Sequence, residues 1–244
     1  MTAAVIFVQM ISTRETESTA TDVAGIPTPA ATQGGEAPDA RPLPDCRKGE
    51  EPALLTSYDE WPETLVDTHF ALDADYAPDD LRPVSKAGFS GDFEVRKVAL
   101  KDLERLRKDA DQAGNPLGIV AAYRDYATQQ DLYDERVKLY GRDATQARTA
   151  RPGHSEHQLG VAVDFRSEDA DDVDQDWEQT PEGAWMAEHA VAYGFVMSYP
   201  RQAEDITCYD YEPWHYRYFG PKRAAEISAS GQTVREYLWS EQPT

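Results

Sequence analysis

Residues 155–165 read Ser-Glu-His-Gln-Leu-Gly-Val-Ala-Val-Asp-Phe and contain the pattern of a strand that follows a glycine turn. Val161, Val163 and Phe165 alternate with smaller or polar residues, which predicts a strand with one apolar face. Asp164 then lies on the opposite face of a strand that is otherwise apolar. Because a buried, unpaired carboxylate is costly, we expect Asp164 to have a charged partner or a metal ion.

A second motif predicts an aromatic strand that carries another histidine. Residues 211–219 read Tyr-Glu-Pro-Trp-His-Tyr-Arg-Tyr-Phe. Pro213 lacks a backbone donor and disfavours helix, so we expect Glu212 to lie in a bend that leads into this strand. From such a strand, His215 is able to reach the aspartate of a neighbouring strand.

The two motifs together supply a candidate catalytic zinc site. The imidazoles of His157 and His215 and the carboxylate of Asp164 leave a fourth coordination position open for water. Glu212 is the candidate base for that water, whose pKa falls from 15.7 to about 7 on zinc. The spacing alone leaves a second interpretation open, a buried hydrogen bond between a histidine and an aspartate beside an aromatic strand.

Three motifs resemble those of the VanY-type D-alanyl-D-alanine carboxypeptidases: residues 155–164, residues 211–218 and Tyr-Arg-Asp-Tyr-Ala-Thr-Gln at residues 123–129. Lysostaphin-like peptidases and hedgehog domains belong to the same zinc superfamily. The resemblance implies a small, mainly antiparallel sheet that carries the zinc site and is flanked by helices. Strands and helices that mix without a regular βαβ order also favour an α+β fold.

The resemblance also implies residue roles. It implies one Zn²⁺ ion bound by His157, Asp164 and His215, catalysis by Glu212 as the base, and substrate binding by Arg124, Gln129 and Ser155. A guanidinium recognises a terminal carboxylate through two parallel hydrogen bonds, which suits a carboxypeptidase. From the position of Arg124 alone, however, a surface cation is the favoured interpretation.

The implied function is a zinc-dependent D,D-carboxypeptidase that removes the C-terminal D-Ala from peptidoglycan stem peptides. The alternatives are an L,D-carboxypeptidase that acts on tetrapeptide stems and a non-catalytic zinc or wall-binding module of the hedgehog type. Glu212 disfavours the module, because a purely structural metal needs no base. A serine acyl-enzyme is disfavoured because nothing marks a Ser-His-Asp arrangement around Ser155.

Composition excludes several classes of protein. The 244 residues include 45 acidic and 24 basic ones, and the formal charge is −21. A polyanion repels phosphate backbones, so we expect no nucleic-acid partner. Apolar residues make up 40% of the chain, which allows a packed core, and no apolar run is long enough for a transmembrane span. We expect a monomer whose partner is a stem peptide ending in D-Ala.

The chain divides into three parts. Residues 1–12 hold a short apolar block, interpreted as the remnant of a secretion signal or, alternatively, as a frayed tail. Residues 13–57 are rich in Pro, Ala, Thr and acid and predict a flexible linker. Residues 58–240 are the expected carboxypeptidase domain. Because stem peptides lie outside the cytoplasmic membrane, we expect export to its cell-wall side, either free or tethered through the N-terminus.

Local patterns predict the order of elements within the domain. Helices are expected at residues 100–113, 126–140, 181–193 and 221–230, strands at 118–123, 161–165, 195–199 and 215–219, and a solvated acidic loop at 168–178.

Some residues depart from the family's pattern. Asp125 stands where Ser is common and is able to neutralise Arg124 in part, and Ser198 stands where Arg is expected in a wall of the pocket. Cys208 stands where Gly is usual. With Cys46 it fits either one disulfide in an exported protein or two unrelated buried thiols, and a bridge would pin the N-terminal segment near the site.

Overall fold

The computed structural model describes residues 41–46 and 48–243. The interpretation of residues 1–12 as a signal remnant, and of residues 13–40 as linker, concerns a part of the chain outside this range.

The fold mixes helices with short strands, as predicted for the α+β class. The α-helices are α1 (Lys97–Gln112), α2 (Tyr126–Tyr140), α3 (Arg142–Gln146), α4 (Pro181–His189), α5 (Glu204–Thr207), α6 (Pro221–Ser230) and α7 (Val234–Ser240). The strands are β1 (Glu51–Pro52), β2 (Phe70–Ala71), β3 (Leu81–Pro83), β4 (Glu94–Arg96), β5 (Leu117–Ala121), β6 (Ala162–Ser167), β7 (Phe195–Met197) and β8 (His215–Tyr218). Within the described ranges, no helix is both long and apolar enough to cross a membrane.

A four-stranded sheet organises the molecule. Its order is β5-β6-β8-β7, and each neighbouring pair is antiparallel, which confirms the expected small antiparallel sheet. The register pairs Val163 with Tyr216 on one face and Asp164 with His215 on the other. Because side chains alternate along a strand, the sheet has one apolar and one polar face.

Helices cover the apolar face of this sheet. The apolar stripe of α1 includes Leu103 and Leu106, which are fully buried in the same core as Phe165. The ring of Phe165 lies 5.8 Å from that of Phe195 and 5.9 Å from that of Tyr216. This aromatic layer fixes the spacing of the strands that carry the polar face.

The helix boundaries follow the capping residues. The Asp125 carboxylate accepts a hydrogen bond from the Thr128 backbone N–H at 2.7 Å, so it caps α2, and α2 ends at Gly141. The position of Asp125 directly before the predicted helix favours this capping role, and the structure confirms it. Among the described residues, no hydrogen bond or ion pair joins Asp125 to Arg124, whose charged neighbours are Asp164 and Glu212 instead. The helix predicted over residues 181–193 is α4 followed by a 3₁₀ helix, Ala190–Tyr193.

Residues 41–46 and 48–57 pack against the rest of the described chain. Strand β1 pairs in parallel with β2, and the guanidinium of Arg41 lies 3.9 Å above the ring of Trp239. A disulfide joins Cys46 to Cys208, with a Cα–Cα distance of 5.2 Å, so the two cysteines are paired and are not two unrelated buried thiols. Because strand pairing and the disulfide hold this segment, the packed part of the chain begins upstream of the expected boundary.

Candidate metal centre and active site

Two strands and a short helix bring three potential metal ligands together. Asp164 and His215 are direct cross-strand partners on β6 and β8. His157 lies on the 3₁₀ helix Glu156–Leu159, which leads into β6 through Gly160 in the left-handed conformation, φ 74°. One donor atom from each of these residues lies within 4.8 Å of the other two, and all three residues are buried.

The ring of His157 has a fixed orientation. Its Nδ1–H donates to the backbone oxygen of Ala122 at 2.7 Å, which leaves Nε2 facing Asp164 Oδ2 at 3.2 Å. Such a hydrogen bond selects the tautomer of a metal-binding histidine. Nε2 is therefore the nitrogen that His157 offers to a metal ion.

His215 lies between two carboxylates. Its Nδ1 is 2.9 Å from Asp164 Oδ1, and its Nε2 is 2.9 Å from Glu156 Oε2. The ring centroids of His157 and His215 are 5.0 Å apart at an interplanar angle of 83°. Nδ1 of His215 and Nε2 of His157 thus both face the carboxylate of Asp164.

The pKa values of the two histidines are shifted in opposite directions. Burial lowers the pKa of His157, so its ring is neutral, as a metal ligand must be. Burial also acts to lower the pKa of His215, but hydrogen bonds with Asp164 and Glu156 outweigh it and raise this pKa to about 10. Burial alone would raise the pKa of Asp164, yet the two histidines lower it, so this carboxylate is ionised.

The donor set fits a zinc ion. Two imidazole nitrogens and one carboxylate oxygen are the ligand types of catalytic zinc sites with an open position. Without a metal ion, Asp164 depends on a charged His215 for compensation. A zinc ion bound between the three residues would replace the proton on His215 Nδ1 and supply the same positive charge. The residues present therefore suit the zinc ion that the resemblance implies.

Glu212 lies beside this centre. Its backbone N–H donates to the Tyr199 oxygen at 3.1 Å, and its Oε2 is 3.9 Å from His215 Nδ1. Burial raises the pKa of Glu212 to about 8, reinforced by Asp164 and opposed by His215 and Arg124. The bend at Pro213 therefore places a carboxyl group of raised proton affinity next to the three donors.

Arg124 faces the same space from the loop between β5 and α2. Arg124 is half-buried in the cavity wall rather than fully exposed on the surface. Burial lowers its pKa, and the carboxylates of Asp164 and Glu212 oppose that effect. Its Nε donates to Gln129 Oε1 at 2.6 Å, and among the described residues no acceptor bonds its two Nη atoms. The Gln129 amide also donates to the Ala150 oxygen at 2.6 Å. Gln129 thus orients Arg124.

All seven residues that the resemblance singles out border one cavity of about 770 Å³. Ser155 caps the 3₁₀ helix of His157 by accepting from its backbone N–H at 3.3 Å. Two further parts of the cavity wall are not identified from the sequence. One is Tyr199, whose ring lies 4.8 Å from that of His215, and the other is residues 172–176, for which the sequence predicts only a solvated acidic loop. These residues carry no local sequence signal, because distant chain segments bring them to the cavity.

One expectation about the cavity wall is corrected. Ser198 is not among the cavity's lining residues. It is buried behind His215, where its Oγ donates to Glu156 Oε2 at 2.6 Å. Cys208 is held in the disulfide with Cys46 and offers no thiolate to a metal ion.

Comparisons with known proteins find a matching family model and similar sequences. The model of the VanY family, described as D-alanyl-D-alanine carboxypeptidase, matches residues 92–221. A D-alanyl-D-alanine carboxypeptidase of Enterococcus faecalis (strain ATCC 700802 / V583) is 38% identical over 143 residues, which are 54% of this chain and 52% of that protein. The chain thus spans about half the length of that relative, and between 44% and 78% of four curated relatives.

Solved structures of similar proteins include an LD-carboxypeptidase and a D,D-pentapeptidase. The LdcB LD-carboxypeptidase superposes with a TM-score of 0.66 at 35% identity and covers 75% of this chain and 88% of its own. A mutant of the vancomycin-resistance D,D-pentapeptidase VanY, in complex with Zn(II), superposes with a TM-score of 0.63 at 29% identity and covers 73% and 99%.

Proposed function

Because this chain belongs to the VanY D-alanyl-D-alanine carboxypeptidase family, we propose that it is a zinc-dependent D,D-carboxypeptidase that removes the C-terminal D-Ala from peptidoglycan stem peptides. The observation that carries this proposal is the cavity in which three buried potential metal ligands, a carboxyl group of raised pKa and a half-buried guanidinium meet. A stem peptide presents a scissile carbonyl to the metal ligands and a free terminal carboxylate to the guanidinium.

In this proposal, His157 Nε2, a carboxylate oxygen of Asp164 and His215 Nδ1 hold one zinc ion. When bound, the ion supplies a Lewis acid that polarises the scissile carbonyl and makes water a nucleophile near neutral pH. Glu212, which lies beside the proposed ligands, would then be held as the carboxylate, because a nearby positive charge favours the ionised form.

Glu212 then acts as general base and general acid. Its carboxylate takes a proton from the attacking water as the water oxygen bonds to the carbonyl carbon. The proton passes to the leaving nitrogen as the carbon–nitrogen bond breaks, and free D-Ala departs. A carboxyl group whose pKa lies near the working pH suits both steps.

Arg124 selects the chain end. Its free Nη atoms are able to donate two parallel hydrogen bonds to the terminal carboxylate of the substrate. Gln129 holds the guanidinium through Nε, which limits its rotation and leaves the outer edge for the substrate. Ser155 borders the cavity and offers a further hydrogen bond from its hydroxyl group.

An L,D-carboxypeptidase that acts on tetrapeptide stems is the second candidate, favoured by the 35% identity to the LdcB LD-carboxypeptidase. The same machinery serves both reactions, since they differ in the residue before the scissile bond. We propose that the enzyme acts as a monomer on the cell-wall side of the cytoplasmic membrane. A disulfide in the described domain suits such an oxidising compartment.

The proposal is tested by following D-Ala release from defined penta- and tetrapeptide stems. Activity on the pentapeptide should disappear with a chelator and return with zinc, and Glu212→Ala should abolish turnover while zinc stays bound. Release from the tetrapeptide alone would establish the L,D activity instead. Zinc binding without release from either peptide would favour the non-catalytic module.

A further inference from the structure

Glu156 lies behind the candidate metal centre, on the far side of the His215 ring from Asp164. It is 4% exposed and is not among the residues that line the cavity. It therefore has no route to the substrate. Its carboxylate nevertheless contacts a proposed metal ligand, because Oε2 lies 2.9 Å from His215 Nε2.

Both oxygens of Glu156 are fixed by other partners. Arg217 Nη1 donates to Oε1 at 2.9 Å, and Ser198 Oγ donates to Oε2 at 2.6 Å. Arg217 is fully buried, and its Nη2 donates at 2.8 Å to the backbone oxygens of Trp61 and Thr64. The carboxylate is thus connected to the protein backbone through a rigid, buried guanidinium.

This arrangement determines which nitrogen His215 offers. A ring that donates Nε2–H to a fixed carboxylate presents Nδ1 on the opposite side, towards Asp164. Rotation of the ring by 180° would place carbon atoms against both carboxylates, at the cost of two charge-assisted hydrogen bonds. Only one ring orientation and one tautomer satisfy both sides.

We propose that Glu156 is a positioning residue, which holds the His215 ring with its Nε2–H in place so that Nδ1 is available to the metal ion. Arg217 and Ser198 hold Glu156 in turn. Ser198, which stands where the family's pattern has Arg, belongs to this support and not to the substrate pocket. The inference rests on the proposed metal site.

The test compares zinc affinity in Glu156→Gln and Glu156→Ala with that of a matched control, Asp67→Asn. Asp67 is also a buried carboxylate, 3% exposed, and accepts from a buried arginine, Arg235, at 2.6 Å. It contacts none of the three ligands. Loss of either carboxylate therefore destabilises the fold in a similar way, but only Glu156 touches a ligand.

Competition with a chromogenic chelator should show zinc affinity about 10- to 100-fold lower in Glu156→Ala, as is typical when a partner of a metal ligand is removed. Glu156→Gln keeps an acceptor for Nε2–H and should lose less. Asp67→Asn should keep the wild-type affinity. If Glu156→Ala does not fold, a reduced zinc affinity in Glu156→Gln supports the positioning role, and wild-type zinc affinity in that variant contradicts it.

Nitrogen-15 NMR of the zinc-loaded protein gives a readout that a merely structural role would not change. The His215 ring should show a proton on Nε2 in the wild type and a mixture of states in Glu156→Ala. Unchanged affinity and an unchanged tautomer in the Glu156 variants would overturn the inference. Absence of zinc binding in the wild type would instead overturn the proposed function.

Discussion

The two faces of the central sheet are formed by the same strands but are stabilised in different ways. On one face, Val163, Phe165 and Tyr216 are buried among aromatic and aliphatic side chains. On the other face, Asp164 and His215 are also buried, but each has hydrogen-bonded or charged partners at 2.9 Å to 3.2 Å. Burial is therefore similar on both faces, and the difference lies in how it is compensated.

This comparison shows how the sheet supports chemistry. The apolar face gains stability from packing, which requires no specific partner for each side chain but does require side chains of the right volume. The polar face brings together groups that cost free energy unless each finds its partner. Because the faces alternate along β6 and β8, packing on one side fixes the positions of ligands on the other.

Removal of Asp164 should have the largest effect on the polar face. In Asp164→Ala, two histidines remain without the carboxylate that both face, so zinc affinity should fall by more than the 100-fold upper range for loss of a ligand's partner. Isothermal titration of the metal-free protein measures this. Wild-type affinity in the variant would show that the ion binds elsewhere.

Removal of Phe165 tests the apolar face. Phe165→Ala creates a cavity beside Phe195 and Tyr216 and should lower the free energy of unfolding by about 3–5 kcal/mol. Urea denaturation measures the loss. The folded fraction should still bind one zinc ion, since no ligand is changed. A variant as stable as the wild type would contradict the structural role of this aromatic layer.

Arg124→Ala should reduce kcat/KM by about 10- to 100-fold, because a buried charge-assisted contact with the substrate carboxylate is lost. Peptides with a free and an amidated terminal D-Ala provide the comparison. The wild type should prefer the free acid and the variant should not. A preference that survives the substitution would assign recognition of the chain end to other residues.

The smallest effect concerns pH. Since the pKa of His215 is raised to about 10 by its two carboxylate partners, its ring carries both protons near neutral pH in the metal-free protein. Zinc must displace the Nδ1 proton, so apparent affinity should rise about tenfold per pH unit between pH 7 and 9. Chelator competition at several pH values measures the slope, and a flat profile would mean that Nδ1 is already free.

Sequence patterns predicted the parts of this structure that depend on local order. Alternation in residues 161–165 placed Asp164 opposite an apolar face, and Asp125 marked the beginning of α2. Helix α7 was not predicted, although its capping box of Thr233 and Glu236 is visible in the sequence. Strands β1 and β2 have only two residues each, too few to show a period.

The support behind the metal centre was beyond sequence reasoning. Glu156 is separated by 42 residues from Ser198 and by 61 from Arg217. No local pattern encodes such contacts, because they arise only when β6 and β8 pair. The ligand set itself was found through its motifs, whereas the orientation of each ligand required the structure.

Anomalous diffraction at the zinc edge from zinc-loaded crystals locates the metal ion itself. We expect one anomalous peak per chain, at bonding distance from His157 Nε2, a carboxylate oxygen of Asp164 and His215 Nδ1. A peak at another group of residues, or coordination through His215 Nε2, would contradict this expectation.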